Sequence, residues 1–297
     1  MPADPPPRLF CFGLGFSADA LATRFGDKGW RIAGTCRGEE KRQALADRGI
    51  DAYIFDRDRP LADPAAAFAG VTHVLSSVPP DGFPGGTGDP VIDRHRDDLA
   101  RLTGLRWVGY LSTTGVYGDR GGGWVDEGAE LRPTGERGRR RAAAEAGWLD
   151  LWWDHGLPVH VFRLAGIYGP GRNALETVRS GRAKRIEKPG QVFSRIHVAD
   201  IAQVLAASIA RPNPGAAYNV CDDDPAPPEQ VIAHACELLG VAPPPLVPFE
   251  DAELSDMARS FYADNKRVRN DRIKTELGVR LEYPDYRTGL RALLDGG

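Results

Sequence analysis

Two glycines and an alanine near the start of the chain form a pattern that could bind phosphate groups. The stretch LFCFGLGFSADA reads Gly-x-Gly-x-x-Ala at Gly13, Gly15 and Ala18, between an apolar run and a helical pattern. The first glycine permits a tight turn, the second lets a pyrophosphate approach the backbone, and the small third residue lets helix and strand pack closely. The helix N-terminus at Phe16 and Ser17 would offer N–H groups to the phosphates. The sequence therefore predicts a dinucleotide site, with an ordinary tight turn as the alternative.

The residues after the second apolar run indicate which dinucleotide the site prefers. An NAD site usually carries an acid about 20 residues past the glycines, whereas this chain has Thr35 and Arg37 in that region. A guanidinium pairs with a phosphate through two parallel hydrogen bonds. Arg37, helped by Lys41 or Arg42, therefore predicts NADP(H), and NAD(H) stays open.

Three acidic side chains near Arg37 allow other interpretations of the nucleotide site. In one of them Arg37 is a solvated loop charge and Glu39 or Glu40 binds the ribose. Asp56 ends the third apolar run, where it could accept a hydrogen bond from an adenine amino group. As the first residue of a loop it could equally be a turn or cap residue.

The apolar pattern predicts the α/β framework that would position these side chains. Short runs rich in β-branched and aromatic residues alternate with helical patterns, which is typical of parallel strands joined by crossover helices. The predicted strands are Leu9–Phe12, Arg31–Thr35, Tyr53–Phe55, His73–Ser76, Trp107–Leu111, Val159–Leu164 and Ala217–Val220. The predicted helices between them begin near Ala18, Glu39, Pro90 and Gly138.

The same pattern divides the chain into three parts. Residues 1–7 are predicted to be a flexible tail, 8–165 a dinucleotide-binding domain, and 166–297 a smaller substrate lobe in which 195–220 returns to the sheet. In this lobe we expect a hairpin around Arg185–Arg195 and helices near Val198–Ile209, Pro228–Leu239, Lys266–Leu277 and Tyr286–Leu294. The substrate is expected between the carboxyl edge of the sheet and the lobe.

Composition excludes several classes of function. The chain has 297 residues, with 38 lysine and arginine against 41 aspartate and glutamate residues, for a formal net charge of -3. Such a balance gives no overall field that would recruit nucleic acid or an anionic membrane. No apolar run reaches the roughly 18 residues of a membrane span. The cysteines and histidines lack metal-ligand spacing, so we predict no metal site and a reducing, cytoplasmic location.

Three motifs further along the chain together resemble the extended short-chain dehydrogenase/reductase superfamily. They are LSTTGVYG (Leu111–Gly118), FRLAGIYGPGR (Phe162–Arg172) and RIHVADIA (Arg195–Ala202). Within that superfamily the chain looks most like the atypical NAD-dependent epimerase/dehydratase-like proteins. The resemblance implies a doubly wound parallel sheet of Rossmann type and a nicotinamide cofactor.

The resemblance also assigns roles to residues at the ends of later strands. It places Ser77 and Val78 beside the cofactor, and Thr113 where a hydroxyl orients the substrate carbonyl, because such a hydroxyl can donate to a developing oxyanion. Tyr117 and Tyr168 either line the substrate pocket or pack with their hydroxyls satisfied. For Thr113, β-propensity and local backbone hydrogen bonding are the alternative.

The tyrosine and lysine that act together in that superfamily are absent from the expected helix. With Pro133 and Glu145 as anchors, Arg137 stands at the tyrosine position and Arg141 at the lysine position. Arginine cannot donate a proton near neutral pH because its pKa lies above about 12. Either these arginines bind a carboxylate, phosphate or alkoxide, or they form a solvated face on which Arg141 pairs with Glu145.

The sequence leaves the proton donor and the function open between two readings. Tyr262 and Lys266 also have the Y-x-x-x-K spacing, so Tyr117, Tyr168, Tyr262 and water are all candidate donors. The first reading is an NADP(H)-preferring oxidoreductase or epimerase-like enzyme, a homodimer acting on a small polar carbonyl, alcohol or nucleotide-linked substrate. The second is a nucleotide-binding sensor or scaffold that has lost the acid.

Overall fold

The predicted alternation of strands and helices is present in the computed structural model, which describes residues 5–83 and 86–296. Its strands are β1 (Arg8–Phe12), β2 (Arg31–Cys36), β3 (Asp51–Ile54), β4 (His73–Ser76), β5 (Trp107–Thr113), β6 (Trp124–Val125), β7 (Val159–Leu164), β8 (Gly166–Tyr168), β9 (Arg185–Glu187), β10 (Arg195–His197), β11 (Ala217–Val220), β12 (Leu246–Pro248) and β13 (Arg267–Val268). Its helices are α1 (Phe16–Gly26), α2 (Glu39–Ala46), α3 (Pro64–Phe68), α4 (Pro90–Ala100), α5 (Glu136–His155), α6 (Ala174–Arg179), α7 (Val198–Ala210), α8 (Pro228–Leu239), α9 (Asp256–Phe261), α10 (Asp271–Thr275) and α11 (Tyr286–Leu294).

All seven predicted strands join one central sheet, which confirms the predicted α/β class. The strand order is β11-β7-β5-β4-β1-β2-β3. β1 lies between β2 and β4 and runs parallel to both. The chain therefore winds outward from β1 in one direction and from β4 in the other, so the order reverses between these two strands. In open sheets of this kind ligands bind at the carboxyl ends of the strands flanking the reversal, which here are Phe12 and Ser76.

The sheet forms because its strands are nearly continuous apolar runs, as strands covered by helices on both faces must be. Every residue of β1, β4 and β7 is buried. Phe10 and Phe12 of β1 pack edge-to-face on Phe68 of α3, with ring centroids 5.0 and 5.9 Å apart. This core fixes the carboxyl ends of the strands that carry the candidate site.

Two predictions for the C-terminal third are wrong. The segment around Arg185–Arg195 is not a hairpin, since β9 pairs in parallel with β12 and β10 pairs in parallel with β8. The segment Lys266–Leu277 is not one helix, because Arg267 and Arg269 donate their backbone N–H groups to Gly123 and Val125 at 2.9 and 2.8 Å. Only α10 is helical there. In both places a long-range backbone pairing overrides the local pattern.

The chain folds into two units, each of which is discontinuous in sequence. One contains the described residues of Met1–Ser112, Arg140–Arg163 and Ala202–Tyr218, and the other contains those of Thr113–Arg139, Leu164–Ile201 and Asn219–Gly297. The predicted boundary between residues 165 and 166 stays a prediction, and residues 1–4 of the predicted tail lie outside the described residues. Within the described ranges, no helix is long and apolar enough to cross a membrane.

A buried histidine in β7 makes the fold sensitive to acid. The His160 ring is fully buried, its Nδ1 lies 3.2 Å from the Val108 carbonyl oxygen, and its Nε2 accepts the backbone N–H of Asn213 at 2.9 Å. These contacts require the neutral ring with the proton on Nδ1. Burial lowers the pKa of His160 from 6.5 to about 4. Its contribution to stability is therefore complete above pH 6.5 and is lost as the pH falls toward 4. In this range His160 binds a proton in the unfolded chain but stays neutral in the folded chain, which favours unfolding.

We expect His160→Gln to reduce the loss of stability in this pH range, since glutamine can accept from Asn213 but does not titrate. The free energy of unfolding in urea, measured from pH 7 to about pH 4, should fall less for this variant than for the wild type. His155→Gln, at the exposed end of the neighbouring α5, should behave like the wild type. Equal slopes for His160→Gln and the wild type would refute this origin of acid sensitivity.

Candidate functional site

The first glycine of the pattern forms a turn that neighbouring strands hold in place. Gly13 has a φ of +79°, which favours glycine. Its N–H donates to Thr35 Oγ1 at 2.8 Å, and the N–H of Leu14 donates to the Thr35 carbonyl at 2.8 Å. A Cβ at Gly13 would lie 3.0 Å from Ser77 Oγ and 3.2 Å from Val78 Cγ2. Thr35, Ser77 and Val78 thus lie at the turn, where their contacts shape the backbone.

The second glycine leaves open space where a phosphate would lie. Gly15 is the N-cap of α1, with a φ of -93°, and no side chain caps this helix end. Among the described residues, a Cβ at Gly15 would meet nothing nearer than the Gly13 carbonyl oxygen at 4.0 Å. The helix begins with Phe16 and the buried Ser17, and Ala18 is fully buried beneath it. An uncapped helix N-terminus with a free approach fits the pyrophosphate of a dinucleotide.

Charged side chains follow β2 at the same edge of the sheet. Arg37 is exposed, and Arg59 Nη2 donates to its carbonyl oxygen at 2.8 Å. The carboxylate of Glu39 accepts from Arg42 Nε at 2.9 Å. Glu39 would have to break this ion pair to bind a ribose, whereas within the described chain the Arg37 guanidinium has no acidic partner. No role for Arg59 was predicted from the sequence.

Asp56 is occupied by the turn that follows β3. Its Oδ1 accepts the N–H groups of Asp58 and Arg59 at 3.1 and 2.9 Å, and its Oδ2 accepts Arg59 Nε at 2.9 Å. The hydrogen bonds from the Arg59 side chain lower the pKa of Asp56. This geometry matches the turn interpretation, and contact of Asp56 with an adenine stays a prediction.

A buried ion pair braces the end of β5, and the sequence did not reveal it. Glu145 of α5 is 2% exposed, accepts the Ser112 hydroxyl, and forms a 2.9 Å ion pair with Arg163 of β7. The expected pairing of Arg141 with Glu145 is therefore wrong, because Arg163 takes the carboxylate. The available signal was Arg163 itself, since an arginine within the apolar strand VHVFRL must have a partner.

Arg141 turns instead toward the carboxyl end of β5. Its Nη1 donates to the Leu111 carbonyl at 2.7 Å and to the Tyr110 hydroxyl at 3.2 Å. No carboxylate in the described part of the chain forms an ion pair with it. The half-buried guanidinium therefore brings a fixed positive charge to the strand end that precedes Ser112.

In the other unit, Thr113 and Tyr117 belong to one short turn but differ in exposure. Thr113 is half-buried, and its Oγ1 accepts the N–H of Gly115 at 3.2 Å. Its own O–H has no acceptor among the residues that the structure describes, so it can donate. Tyr117 is fully buried, and its hydroxyl donates to Asn219 Oδ1 at 2.7 Å. Thr113 can donate to an incoming oxygen, whereas Tyr117 already uses its proton inside the core.

The remaining candidates of this unit are mostly packed or paired. Tyr168 is 7% exposed, and its hydroxyl lies against α11, 3.4 Å from the Asp285 carbonyl. Tyr262 is buried, and Lys266 forms a 3.2 Å ion pair with Asp264. Arg137 is exposed, with its guanidinium 5.3 Å from the centroid of the Phe261 ring. Their predicted roles toward a substrate stay predictions.

Sequence comparison gives distant relatives that span nearly the whole chain. No family model matches it. It is 26% identical over 284 residues to Protein YeeZ of Escherichia coli (strain K12), which covers 92% of this chain and 95% of that protein. It is 28% identical over 281 residues to the 3-diazoavenalumate denitrifying reductase of a Streptomyces species, covering 85% and 88%.

Solved structures match the fold over its full length. A conserved protein of unknown function from Silicibacter pomeroyi DSS has a TM-score of 0.87 and 53% identity, covering 97% of this chain and 98% of that one. The dTDP-glucose 4,6-dehydratase of Bacillus anthracis str. Ames, solved with NAD, has a TM-score of 0.76 and 16% identity over 98% and 96%. The UDP-glucuronic acid 4-epimerase of Bacillus cereus, also solved with NAD, has a TM-score of 0.75 and 14% sequence identity, and the match covers 97% of each chain. The expected likeness to epimerase/dehydratase-type enzymes is thereby confirmed for the fold.

Proposed function

We propose that this protein, which belongs to the same family as the conserved Silicibacter pomeroyi DSS protein, is an oxidoreductase or epimerase-like enzyme that prefers NADP(H) to NAD(H). It acts on a small polar carbonyl or alcohol, free or nucleotide-linked. The observation that carries the proposal is the Gly13–Gly15 turn at the reversal of strand order, with open space before the uncapped end of α1. The name of the Streptomyces relative, a reductase, supports hydride transfer.

The residues around the turn suit the two ends of a dinucleotide. The N–H groups at the start of α1 would hold its pyrophosphate, and Arg37 would pair with a 2′-phosphate after β2. Ser77 and Val78 would border the cofactor where β4 ends. Bound there, the nicotinamide supplies or accepts the hydride.

The chain offers a hydroxyl and a guanidinium for the reacting oxygen but no acid at the superfamily's tyrosine position. The free O–H of Thr113 orients the substrate oxygen, and Arg141 stabilises negative charge near the end of β5. Tyr117 donates within the core and Tyr168 is packed against α11. We therefore assign the role of proton donor to water. Arg137 would bind an anionic group of the substrate.

Substituting Arg37 tests the cofactor preference. Arg37→Ala should weaken NADPH binding about 10-fold or more, the loss of a charge-assisted phosphate contact of at least 1.4 kcal/mol, and should leave NADH affinity nearly unchanged. Titration followed by nicotinamide fluorescence measures both affinities. Arg31→Ala is the matched control, since Arg31 is also exposed and lies at the opposite end of β2.

The same titration decides between the two nucleotides, and an activity assay decides between the proposal and its rival. Equal wild-type affinity for NADH and NADPH, or an equal effect of Arg37→Ala on both, would refute the NADP(H) preference. A wild type that binds NADPH but neither consumes it with any aldehyde or ketone of a broad panel nor epimerises any of a panel of nucleotide-linked sugars would favour the sensor. The arginines at the tyrosine and lysine positions are the observation that favours that rival.

A cytoplasmic location is part of the proposal. The four cysteines, Cys11, Cys36, Cys221 and Cys236, are all buried and free, which suits a compartment that keeps thiols reduced. A small molecule is the expected partner in the reaction, and neither nucleic acid nor a membrane has a role in it.

A further inference from the structure

Arg137 lies beside the turn that carries Thr113. A Cβ at its neighbour Gly138 would lie 2.9 Å from the Gly115 carbonyl oxygen, so the start of α5 packs directly on this turn. Arg137 is exposed, and no carboxylate among the described residues forms an ion pair with it. A guanidinium next to the hydroxyl that would orient the substrate can bind an anionic group of the same molecule.

Helix α9 places an apolar surface against this guanidinium. Met257 and Phe261 are four residues apart, so they lie on one face of α9, and they are 64% and 53% exposed. The Arg137 guanidinium lies over the Phe261 ring, 5.3 Å from its centroid. A single exposed apolar side chain is ordinary. Two on one face beside a charge without an acidic partner indicate a binding surface.

The opposite side of α9 holds the helix in place. Tyr262, which follows the helix, is buried against the rings of Phe193 and Phe249, with centroids 5.4 and 5.1 Å away. The Asp264 carboxylate accepts the Thr134 hydroxyl, which ties this segment to the residues that lead into α5. The exposed apolar face of α9 is therefore anchored beside the start of α5.

The charge of this surface suits one planar anion. The N–H donors of arginine lie in the guanidinium plane and match the two oxygens of a carboxylate. A ring over the face of the guanidinium leaves that edge available. A single positive charge fits a carboxylate better than the two charges of a diphosphate. The neighbouring cations are engaged elsewhere: Lys188 donates to the Tyr262 carbonyl, Lys266 pairs with Asp264, and Arg259 lies over the Phe249 ring.

We propose that the substrate is a free carboxylic acid with an aromatic body, whose carboxylate binds Arg137 and whose ring packs on Phe261 and Met257. Aromatic rings favour edge or offset contacts with one another, and a methionine thioether packs well at a ring edge. The inference rests on the proposed function, since it names the substrate class of the same site. Of the free and the nucleotide-linked molecules, it selects the free one.

The test measures binding without reduction, by isothermal titration calorimetry on the full chain with and without NADP⁺. The probes are benzoate, cinnamate and 4-formylbenzoate, each compared with its neutral carboxamide, and uridine diphosphate. At least one carboxylate should bind about 10-fold or more tightly than its own amide, as a charge-assisted contact requires. It should also bind more tightly than uridine diphosphate.

Variants assign the two parts of the contact. Arg137→Gln should remove the preference for the carboxylate and leave amide binding nearly unchanged, whereas Phe261→Ala should weaken both probes about 3- to 10-fold. Arg139→Gln and Trp124→Ala are the matched controls, an exposed arginine on the same helix and an aromatic residue that is 54% exposed. Both controls should bind every probe like the wild type.

The proposal is overturned if no carboxylate binds more tightly than its amide, or if Arg137→Gln keeps the preference. Tighter, Arg137-dependent binding of uridine diphosphate would overturn it in favour of a nucleotide-linked substrate. Failure of the proposed function has a different signature. The preference for the carboxylate would then depend on Arg137, but NADPH would not bind, or would not be consumed with any carboxylate that carries an aldehyde or ketone.

Discussion

Glu145→Ala is expected to destabilise the protein by about 3–5 kcal/mol, the usual cost of removing one member of a buried ion pair. The Arg163 side chain is 8% exposed and its guanidinium would remain buried without this carboxylate. The Ser112 hydroxyl would lose its acceptor at the same time. The free energy of unfolding, from urea titration, measures the loss.

Matched variants separate the buried charge from the shape of the side chain. Glu145→Gln, which keeps the shape and some hydrogen bonds, should lose less than Glu145→Ala. Replacing both partners, as in Glu145→Leu with Arg163→Met, should recover much of the stability, since an apolar pair of similar volume avoids an unmatched charge. Glu136→Ala removes an exposed ion pair with Arg139 on the same helix and should cost less than about 1 kcal/mol. If Glu145→Ala also lowers the free energy of unfolding by less than about 1 kcal/mol, the buried pair does not brace the end of β5.

The central sheet could be predicted because its signal is local. Each strand covered on both faces is an apolar run long enough to stand out, as in Val159–Leu164, and the glycines after Phe12 mark the first turn. The strands that were missed or misassigned are only two or three residues long. β9 and β13, for example, exist because of pairing with β12 and β6, far away in sequence.

The candidate site was predictable to the same extent. The turn at Gly13 and the helix start at Gly15 could be predicted because both depend on local backbone conformation after a strand, whereas the binding of a cofactor by these glycines and by Arg37 stays a prediction. The ion-pair partner of Glu145 could not be predicted from the sequence. Arg163 lies 18 residues away on another element, whereas helical spacing favoured Arg141. The buried state of the Tyr117 hydroxyl depends likewise on Asn219, 102 residues further along the chain.

The two glycines of the turn differ in what a substitution would test. A side chain at Gly13 would be strained by its positive φ and crowded by Ser77 and Val78, so loss of binding there could reflect damage to the fold. Gly15 has an ordinary φ and open space around its Cβ position. A side chain at Gly15 can therefore be accommodated by the protein, and it would occupy the space that we propose for the pyrophosphate.

Gly15→Val is accordingly expected to weaken NADPH binding at least about 100-fold, or 2.7 kcal/mol, while costing the unliganded fold less than about 1 kcal/mol as a poorer N-cap. Gly26→Val is the matched control, because Gly26 lies at the other end of α1 and its Cβ position is equally open. Fluorescence titration gives the affinities, and urea unfolding without nucleotide gives the stabilities. If Gly15→Val is folded and binds NADPH as tightly as the wild type, no pyrophosphate lies at this turn and the proposed enzyme loses its cofactor site. If Gly26→Val loses binding equally, the effect belongs to the helix as a whole, because only the end at Gly15 can touch a phosphate.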